Sequence, residues 1–485
     1  MADAANEPGQ VPGAIGPRRS FLESLEVDTR LLGMIGAFAL ICLVFQIWTG
    51  GLLEGRFLTP RNVFNLTIQT VSVAIMATGM VFVIVTRHID LSVGALLATC
   101  SAVMAMVQTQ WVPDLLGLPL GHWAIAPLAI LSGLVAGALI GAFNGWLIGY
   151  LLIPSFIVTL GGLFVWRNVA WLITDGQTIG PLDETFRTLG GIGGTLGEGA
   201  SWAVGLALTA GALWALLSAR RAKVAHGFPV KPLWAEAAVG LLTALGILGF
   251  VAILTAYEIP ARVLERDAAR AGTVLPEGFT AAYGLPLSVL LLIVVAVGMT
   301  VIARKTRLGR YIFATGGNPD AAELSGVDTR LLTVKVFALM GALCALSAVV
   351  ASARLTNHTN DIGTLDELRV IAAAVIGGTA LAGGFGTIYG AILGAVIMQS
   401  LQSGMAMVGV DAPLQNMVVG AVLVVAVAID IAYRRPEVRR EVLRFFGFVV
   451  APCLALAFLV SPAFIALIIP AGLIVGLVFY RRGGA

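Results

Sequence analysis

The sequence contains repeated apolar runs that are long enough to cross a lipid bilayer as helices. Such runs occupy 31–48, 71–86 and 285–303, and about 20 apolar residues span the hydrocarbon core as an α-helix. A membrane β-barrel would instead show alternating stretches of about 10 residues. Charged residues make up only 12% of the chain, about half the share of an ordinary soluble domain. The pattern predicts an all-α polytopic membrane protein.

A hydropathy window of about 19 residues predicts twelve separate spans along the chain. They lie at 31–50, 62–86, 91–111, 124–146, 155–173, 201–218, 235–256, 283–303, 331–353, 369–387, 388–408 and 413–432. A last apolar block, 445–480, is interrupted by prolines and is too long for one spanning helix. We interpret this block as a hydrophobic hairpin, so that we expect about 14 spans in all.

The distribution of basic residues predicts the orientation of the chain in the membrane. If the N-terminus lies inside and the spans alternate, the inner segments hold 20 Lys and Arg and the outer segments hold 7. Basic residues are retained on the cytoplasmic side during insertion. We therefore expect both termini to be cytoplasmic.

The longest cytoplasmic connector, 304–330, contains the signals of a short helix at 319–325. Asn318 suits the N-cap, Pro319 suits the first helical position, and Gly326 can adopt the left-handed stop. We expect the exposed side chains of this helix to be small, namely those of Ala321, Ala322 and Ser325. A small surface would let the helix seat closely in another protein's cleft, although a helix that only orders the loop is the alternative.

Two stretches, 86–98 and 361–387, place polar residues at helix starts that are followed by glycines. A carboxylate such as Asp90 beside the hydrocarbon region is costly unless it caps a helix or faces water. Thr364 and Glu367 have the spacing of a capping box. Since interrupted helices are tolerated at membrane depth only within protein or beside water, both stretches are candidates for lining a pathway. The pathway-lining candidates are Asn65, Gln69, Asp90, Ser92, Asn144, Thr364, Glu367 and Thr379. The glycines expected to break or pack helices are Gly94, Gly141, Gly145, Gly377, Gly378, Gly383 and Gly384.

The sequence contains none of the patterns that would indicate an enzyme. None of its lysines lies in a GxxxxGK[ST] phosphate loop, so the chain has no such means of using ATP. The histidines are isolated and the four cysteines are scattered. We therefore expect no catalytic residue, no metal and no bound cofactor. A net charge of +3 gives no reason to expect a nucleic-acid partner.

Four ordered motifs, within 62–98, 141–163, 309–329 and 367–395, resemble the permeases of bacterial ABC sugar importers. They include GAFNGWLIGYLLIPSF and GRYIFATGGNPDAAELSGVDT. The likeness covers about 60–432 and is nearest to the xylose branch of that family, with the ribose and arabinose branches close behind. It implies a permease of the bacterial inner membrane with a ten-span core.

The resemblance also implies partners and a role for the short helix. Such permeases form homodimers in the bilayer, bind two ATP-hydrolysing cassette subunits on the cytoplasmic face, and receive sugar from a periplasmic binding protein. Their coupling helix, which docks the cassette, corresponds to Asn318, Pro319, Ala321, Ala322, Ser325 and Gly326. D-xylose is the expected cargo. Another pentose or hexose, a branched-chain amino acid, and a secondary carrier or channel without partners are the alternatives.

The predicted organisation has five parts. A cytoplasmic tail (1–30) precedes the first half of the core (31–174). An insertion with two extra spans (175–282) separates it from the second half, which includes the coupling helix (283–432). A basic linker and the hydrophobic hairpin (433–485) follow.

The predicted orientation can be tested with single cysteines in a cysteine-free background. Cysteine at Thr188 should react with an impermeant maleimide in intact cells, because 174–200 is predicted to lie outside. Cysteines at Gly227 and Gly483 should react only after the cells are opened. Labelling at Gly227 in intact cells would contradict the alternation of the spans.

Overall fold

The computed structural model of the chain describes residues 29–276 and 278–434, together with 437, 440, 441 and 444. The predicted hairpin 445–480 and nearly all of the predicted tail 1–30 lie outside the described residues. Within these residues the structure is helical, with isolated β-bridges and no strand. The all-helical prediction is therefore confirmed.

The α-helices are numbered in chain order. They are α1 (Thr29–Trp48), α2 (Pro60–Val85), α3 (Val93–Met106), α4 (Val112–Leu116), α5 (Ile125–Gly149), α6 (Ser155–Ile173), α7 (Glu184–Thr188), α8 (Gly197–Ala225), α9 (Leu233–Thr255), α10 (Ala261–Ala271), α11 (Leu287–Lys305), α12 (Arg307–Gly317), α13 (Pro319–Leu324), α14 (Thr329–Leu355), α15 (Asp366–Ile376), α16 (Ile388–Met407) and α17 (Ala412–Arg434). A π-helical turn, Val107–Trp111, joins α3 to α4 without a break.

Ten helices within the described ranges are long and apolar enough to cross a membrane. The spans expected at 369–387 and 413–432 are not among them, and the apolar stretch of the second is counted as the shorter Ala412–Ala428. The total of about 14 includes the hairpin outside the described residues and stays a prediction. In place of the span at 369–387, α15 has 11 residues and ends at Ile376. Gly377 and the left-handed Gly378 (φ +84°) follow, and no continuous helix passes through such a left-handed position.

The chain divides into two compact units, and one of them contains residues 203–250. This unit holds most of α8 and α9, which form a helix pair. Arg220 of α8 donates to Glu236 of α9 at 2.6 Å, and Gly240 lies against Leu213. The unit falls within the predicted insertion of 175–282.

The larger unit contains 30–202 and the described residues from 251 onward, and its most extensive helix contact joins α5 to α14. A side chain at Gly137 would overlap the carbonyl oxygen of Gly341, and one at Gly141 would overlap that of Phe337. Gly145 lies against the backbone of Val334. Small residues allow helices in lipid to approach to backbone contact, where dispersion attraction is strongest.

Helix α2 lies at the centre of this unit. Its residues from 70 to 85 are buried except Ser72, and it contacts α14, α16, α15 and α11. Ser72 and Ser347 share a hydrogen bond of 2.6 Å across the α2–α14 contact. The helix therefore lies in contact with the elements that carry the second interrupted segment.

Candidate functional site

The two interrupted segments predicted from the sequence lie side by side. Helix α3 begins after the segment 86–92, and α15 begins after the loop 356–365. A side chain at Gly94 would overlap the carbonyl oxygen of Gly363, so the start of α3 contacts this loop directly. Farther along, Nδ1 of His358 lies 2.9 Å from Oγ of Ser101. The loop therefore runs antiparallel along α3.

Arg167 of α6 supports this loop from the other side. Its guanidinium donates to the carbonyl oxygens of Asn360 at 3.0 Å and Ile362 at 2.6 Å. The two hydrogen bonds satisfy backbone acceptors that no helix satisfies. His358 is fully buried in the same loop, and burial lowers the pKa of its imidazole to about 4, so that the ring is neutral at pH 7.

Asp90 stabilises the turn that precedes α3 rather than capping the helix itself. One carboxylate oxygen accepts hydrogen bonds from the backbone N–H of Ser92 at 2.8 Å and from its hydroxyl at 2.6 Å. Asn144 of α5 donates to the same hydroxyl at 3.4 Å. Burial raises the pKa of Asp90, and the hydrogen bonds from Ser92 oppose that rise. Asp90, Ser92 and Asn144 thus form one buried polar cluster.

The capping box expected at Thr364 and Glu367 is wrong. Thr364 donates its N–H to the carbonyl of Asp361, and Leu365 occupies the N-cap in a left-handed conformation (φ +63°). A turn from 361 to 365 therefore delays the start of the helix to Asp366, which moves Glu367 out of register with Thr364. One oxygen of Glu367 lies beside Gly94 and finds no hydrogen-bond partner among the described residues.

A polar cavity of about 290 Å³ lies between α2, α14, the loop 356–365, α15 and α16. Its lining residues are Gln69, Ser72, Val73, Ala351, Arg354, Leu355, Thr359, Asp361, Ile362, Gly363, Thr364, Asp366, Arg369, Gln399 and Gln402. Gln399 donates its amide to Gln69 across the cavity wall at 2.8 Å. Arg369 pairs with Asp366 at 3.0 Å.

Of the predicted pathway residues, only Gln69 and Thr364 line this cavity. Asn65 is half-buried on α2, outside the lining. Thr379 is fully buried beyond the end of α15, and its hydroxyl has no partner among the described residues. The prediction missed Arg354 and Gln399, together with Arg369 and Gln402. Each lies within a predicted apolar span or next to its end, and this is the signal that could have identified them.

The cavity is suited to binding a neutral polar molecule. Two arginines and two aspartates balance in charge, and three glutamine side chains add both donors and acceptors. Four of its lining side chains are apolar. Nowhere in the described ranges do three His, Cys, Asp or Glu side chains come together as a metal site would require.

The predicted glycine breaks lie in the turn between α15 and α16. A side chain at Gly377 would overlap the carbonyl of Gly390, which joins the end of α15 to the start of α16. Gly383 and Gly384 both adopt left-handed conformations, at φ +86° and +77°. These values allow the chain to reverse direction between α15 and α16.

The predicted short helix is present as α13, one residue shorter than expected. Oδ1 of Asn318 accepts the N–H of Ala321 at 3.1 Å, and Gly326 is left-handed at φ +85°. Pro319 is half-buried, and Ala321, Ser325 and Gly326 are exposed. Ala322 was expected on the outer surface but is only 4% exposed, because its face of the helix turns inward. The large exposed side chain is Leu324, at 91%.

Comparison with known proteins adds relatives that cover most of the chain. The xylose transport system permease protein of Escherichia coli (strain K12) is 36% identical over 436 residues, which is 89% of this chain and 99% of the relative. The corresponding Haemophilus influenzae protein is 34% identical over 410 residues, covering 84% and 98%. The ribose import permease protein of Escherichia coli (strain K12) is 30% identical over 392 residues, covering 81% and 92%. No solved structure matches significantly.

A family model described as "Branched-chain amino acid transport system / permease component" matches residues 62–427. This range contains all but the first two residues of α2 and all of the helices from α3 to α16, with both interrupted segments, the cavity and α13. The resemblance inferred from four motifs is confirmed by these matches. The chain therefore belongs to this family of transport-system permease components.

Proposed function

We propose that the chain is the membrane permease subunit of an ATP-driven sugar importer and that it passes D-xylose from a periplasmic binding protein to the cytoplasm. In this proposal it is a multi-pass homodimer of the bacterial inner membrane, with cytoplasmic termini. ATP is hydrolysed by separate cassette subunits, and the permease itself catalyses no reaction. The observation that carries the proposal is the polar cavity beside two interrupted helices in a chain 36% identical to a xylose permease.

The cavity's chemistry supports a sugar over a branched-chain amino acid. A sugar offers hydroxyl groups in several directions. Glutamine side chains can donate to and accept from them, carboxylates can accept, and guanidinium groups can donate. A branched aliphatic side chain would require an apolar pocket. Arg354, Asp361, Arg369 and Gln402 surround this cavity with polar groups instead.

The absence of a phosphate loop and the presence of α13 support a separate ATPase. Asn318 and Gly326 stabilise the two ends of α13, which makes it a rigid short element. Leu324 projects from it with 91% of its surface exposed. A pocket on another protein that covered this leucine would remove its apolar surface from water.

The proposed function predicts sugar uptake that requires ATP and two further proteins. The permease should be reconstituted in proteoliposomes with its cassette subunit and a xylose-loaded binding protein. We expect uptake of labelled xylose only when ATP is present on the cassette side, with ribose and leucine giving slower or no uptake. Uptake by the permease alone, driven by a proton gradient, would contradict the proposal, and preferred uptake of leucine would reassign the cargo.

The cavity's role can be tested with Gln399→Leu, which removes an amide from the wall at nearly constant volume. One lost neutral hydrogen bond costs about 0.5–1.5 kcal/mol, so transport at saturating binding protein should fall roughly 2- to 13-fold. Gln415→Leu is the matched control, because Gln415 lies on α17 outside the cavity and donates its amide to the carbonyl of Val410, which precedes that helix. Equal effects of the two substitutions would rule out a specific role for the cavity wall.

Docking through α13 can be tested with Leu324→Ala. Burying a leucine side chain contributes about 1.5–3 kcal/mol, so the affinity for the cassette should fall roughly 10- to 150-fold while the permease itself stays folded. Val274→Ala is the control, since Val274 is 96% exposed in the segment predicted to lie on the opposite side. Wild-type co-purification of the cassette with Leu324→Ala would exclude this side chain from the docking surface.

A further inference from the structure

Three interruptions of the chain meet at the end of α2. Val85 is the last residue of α2, α12 ends at Gly317, and the turn 377–387 joins α15 to α16. The carbonyl of Val85 accepts the N–H of Gly384 at 3.0 Å. A side chain at Gly316 would overlap that same carbonyl and would lie 2.7 Å from the nitrogen of Gly384. The three segments are therefore in backbone contact.

Arg87 joins the same three segments through its side chain. Its Nε donates to the carbonyl of Gly316 at 2.9 Å, and Nη2 donates to that of Gly317 at 2.8 Å. The last carbonyls of a helix have no partner within the helix. A positive charge there is also attracted by the negative end of the helix dipole. The Cγ of Arg87 lies so close to Gly383 that a Cβ there would be at 2.5 Å.

The backbone of Arg87 is itself in an unfavourable conformation. Its φ is +66°, a left-handed value that glycine adopts without a steric cost and arginine does not. The chain keeps a residue with a long side chain at a position where the backbone favours glycine. The gain that offsets this cost is the pair of hydrogen bonds to α12.

We propose that Arg87 is a positioning residue that transmits the movement of α13 to the interrupted segments. Only Asn318 separates the end of α12 from α13, so a displacement of α13 must move Gly316 and Gly317. The guanidinium holds these carbonyls to the segment 86–92, which leads through the Asp90–Ser92 turn into α3. The hydrogen bond between Gly384 and Val85 carries the displacement to α15 and α16, which line the cavity.

This inference rests on the proposed function and assigns the route by which the ATPase cycle reaches the cavity. If Arg87 acted in docking, a substitution there would lower both cassette binding and the number of sugar molecules moved per ATP. In this inference only the second of these falls. Binding of the cassette depends on the outer surface of α13, whereas the number of sugar molecules moved per ATP depends on Arg87.

The test is Arg87→Gly in the reconstituted complex of permease, cassette and binding protein. Glycine suits the backbone angle, so the substitution removes the guanidinium without adding strain. We expect wild-type yield, wild-type cassette binding and continued ATP hydrolysis. Xylose transported per ATP should fall about tenfold or more, the scale of one lost hydrogen bond to a charged group. With Arg87→Lys the amount of xylose transported per ATP should be partly restored, because lysine keeps the positive charge. The restoration should be incomplete, because lysine lacks the planar guanidinium that donates to both carbonyls.

Two matched comparisons separate this route from a general effect of charge or stability. Arg310→Ala removes an exposed arginine from α12 and should leave the ratio unchanged. Gly316→Ala should lower the ratio by wedging the three segments apart with Arg87 intact, whereas a methyl group at Gly317 meets no atom within 4 Å and should be harmless.

Several outcomes would overturn the inference. The first is a wild-type ratio of xylose transported per ATP with Arg87→Gly, and the second is an equal loss of that ratio with Arg310→Ala. The third is loss of cassette binding with Arg87→Gly, which would make Arg87 part of the docking surface. If Arg87→Gly does not fold, a wild-type ratio with Gly316→Ala decides against the inference. A wild-type complex without ATP-dependent uptake would instead mean that the proposed function has failed.

Discussion

Every backbone N–H and C=O group inside a bilayer needs a partner within the protein, because lipid offers none. Helices meet this requirement along their length, so the cost is concentrated where a helix stops. Here two arginines supply the missing partners. Arg167 donates to two carbonyls of the loop 356–365, and Arg87 donates to the last two carbonyls of α12. These hydrogen bonds satisfy backbone acceptors at places where a helix has ended.

The second requirement for such interruptions is close backbone approach, which glycine provides. The N–H of Gly384 reaches the carbonyl of Val85, and Gly94 leaves room for the carbonyl of Gly363. Glycine also allows close backbone approach over the longer contact between α5 and α14. There the contact joins two long helices, whereas at the interruptions it joins the ends of separate segments.

The arrangement connects chemistry at two distant places in the fold. The polar cavity is formed where the loop 356–365 meets α2 and α16, and the candidate docking helix α13 follows the end of α12. Between them, Arg87 donates to the carbonyl of Gly316, and Gly384 donates to the carbonyl of Val85, two residues before Arg87. Under the proposed function, such a connection would link the cassette that docks at α13 to the cavity.

The sequence by itself determined the all-helical membrane class, the family and the short helix that Asn318 begins. These follow from local signals: apolar runs, ordered motifs and capping residues act over a few neighbouring positions. Tertiary structure decided which polar residues share a site. Gln69 and Gln399 are 330 positions apart yet form one hydrogen bond, and Thr364 lost its expected capping role because a turn at Gly363 and Leu365 delayed the helix. Arg87 carried no sequence signal for its role, since its partners belong to another segment and only the fold brings their unpaired carbonyls within reach.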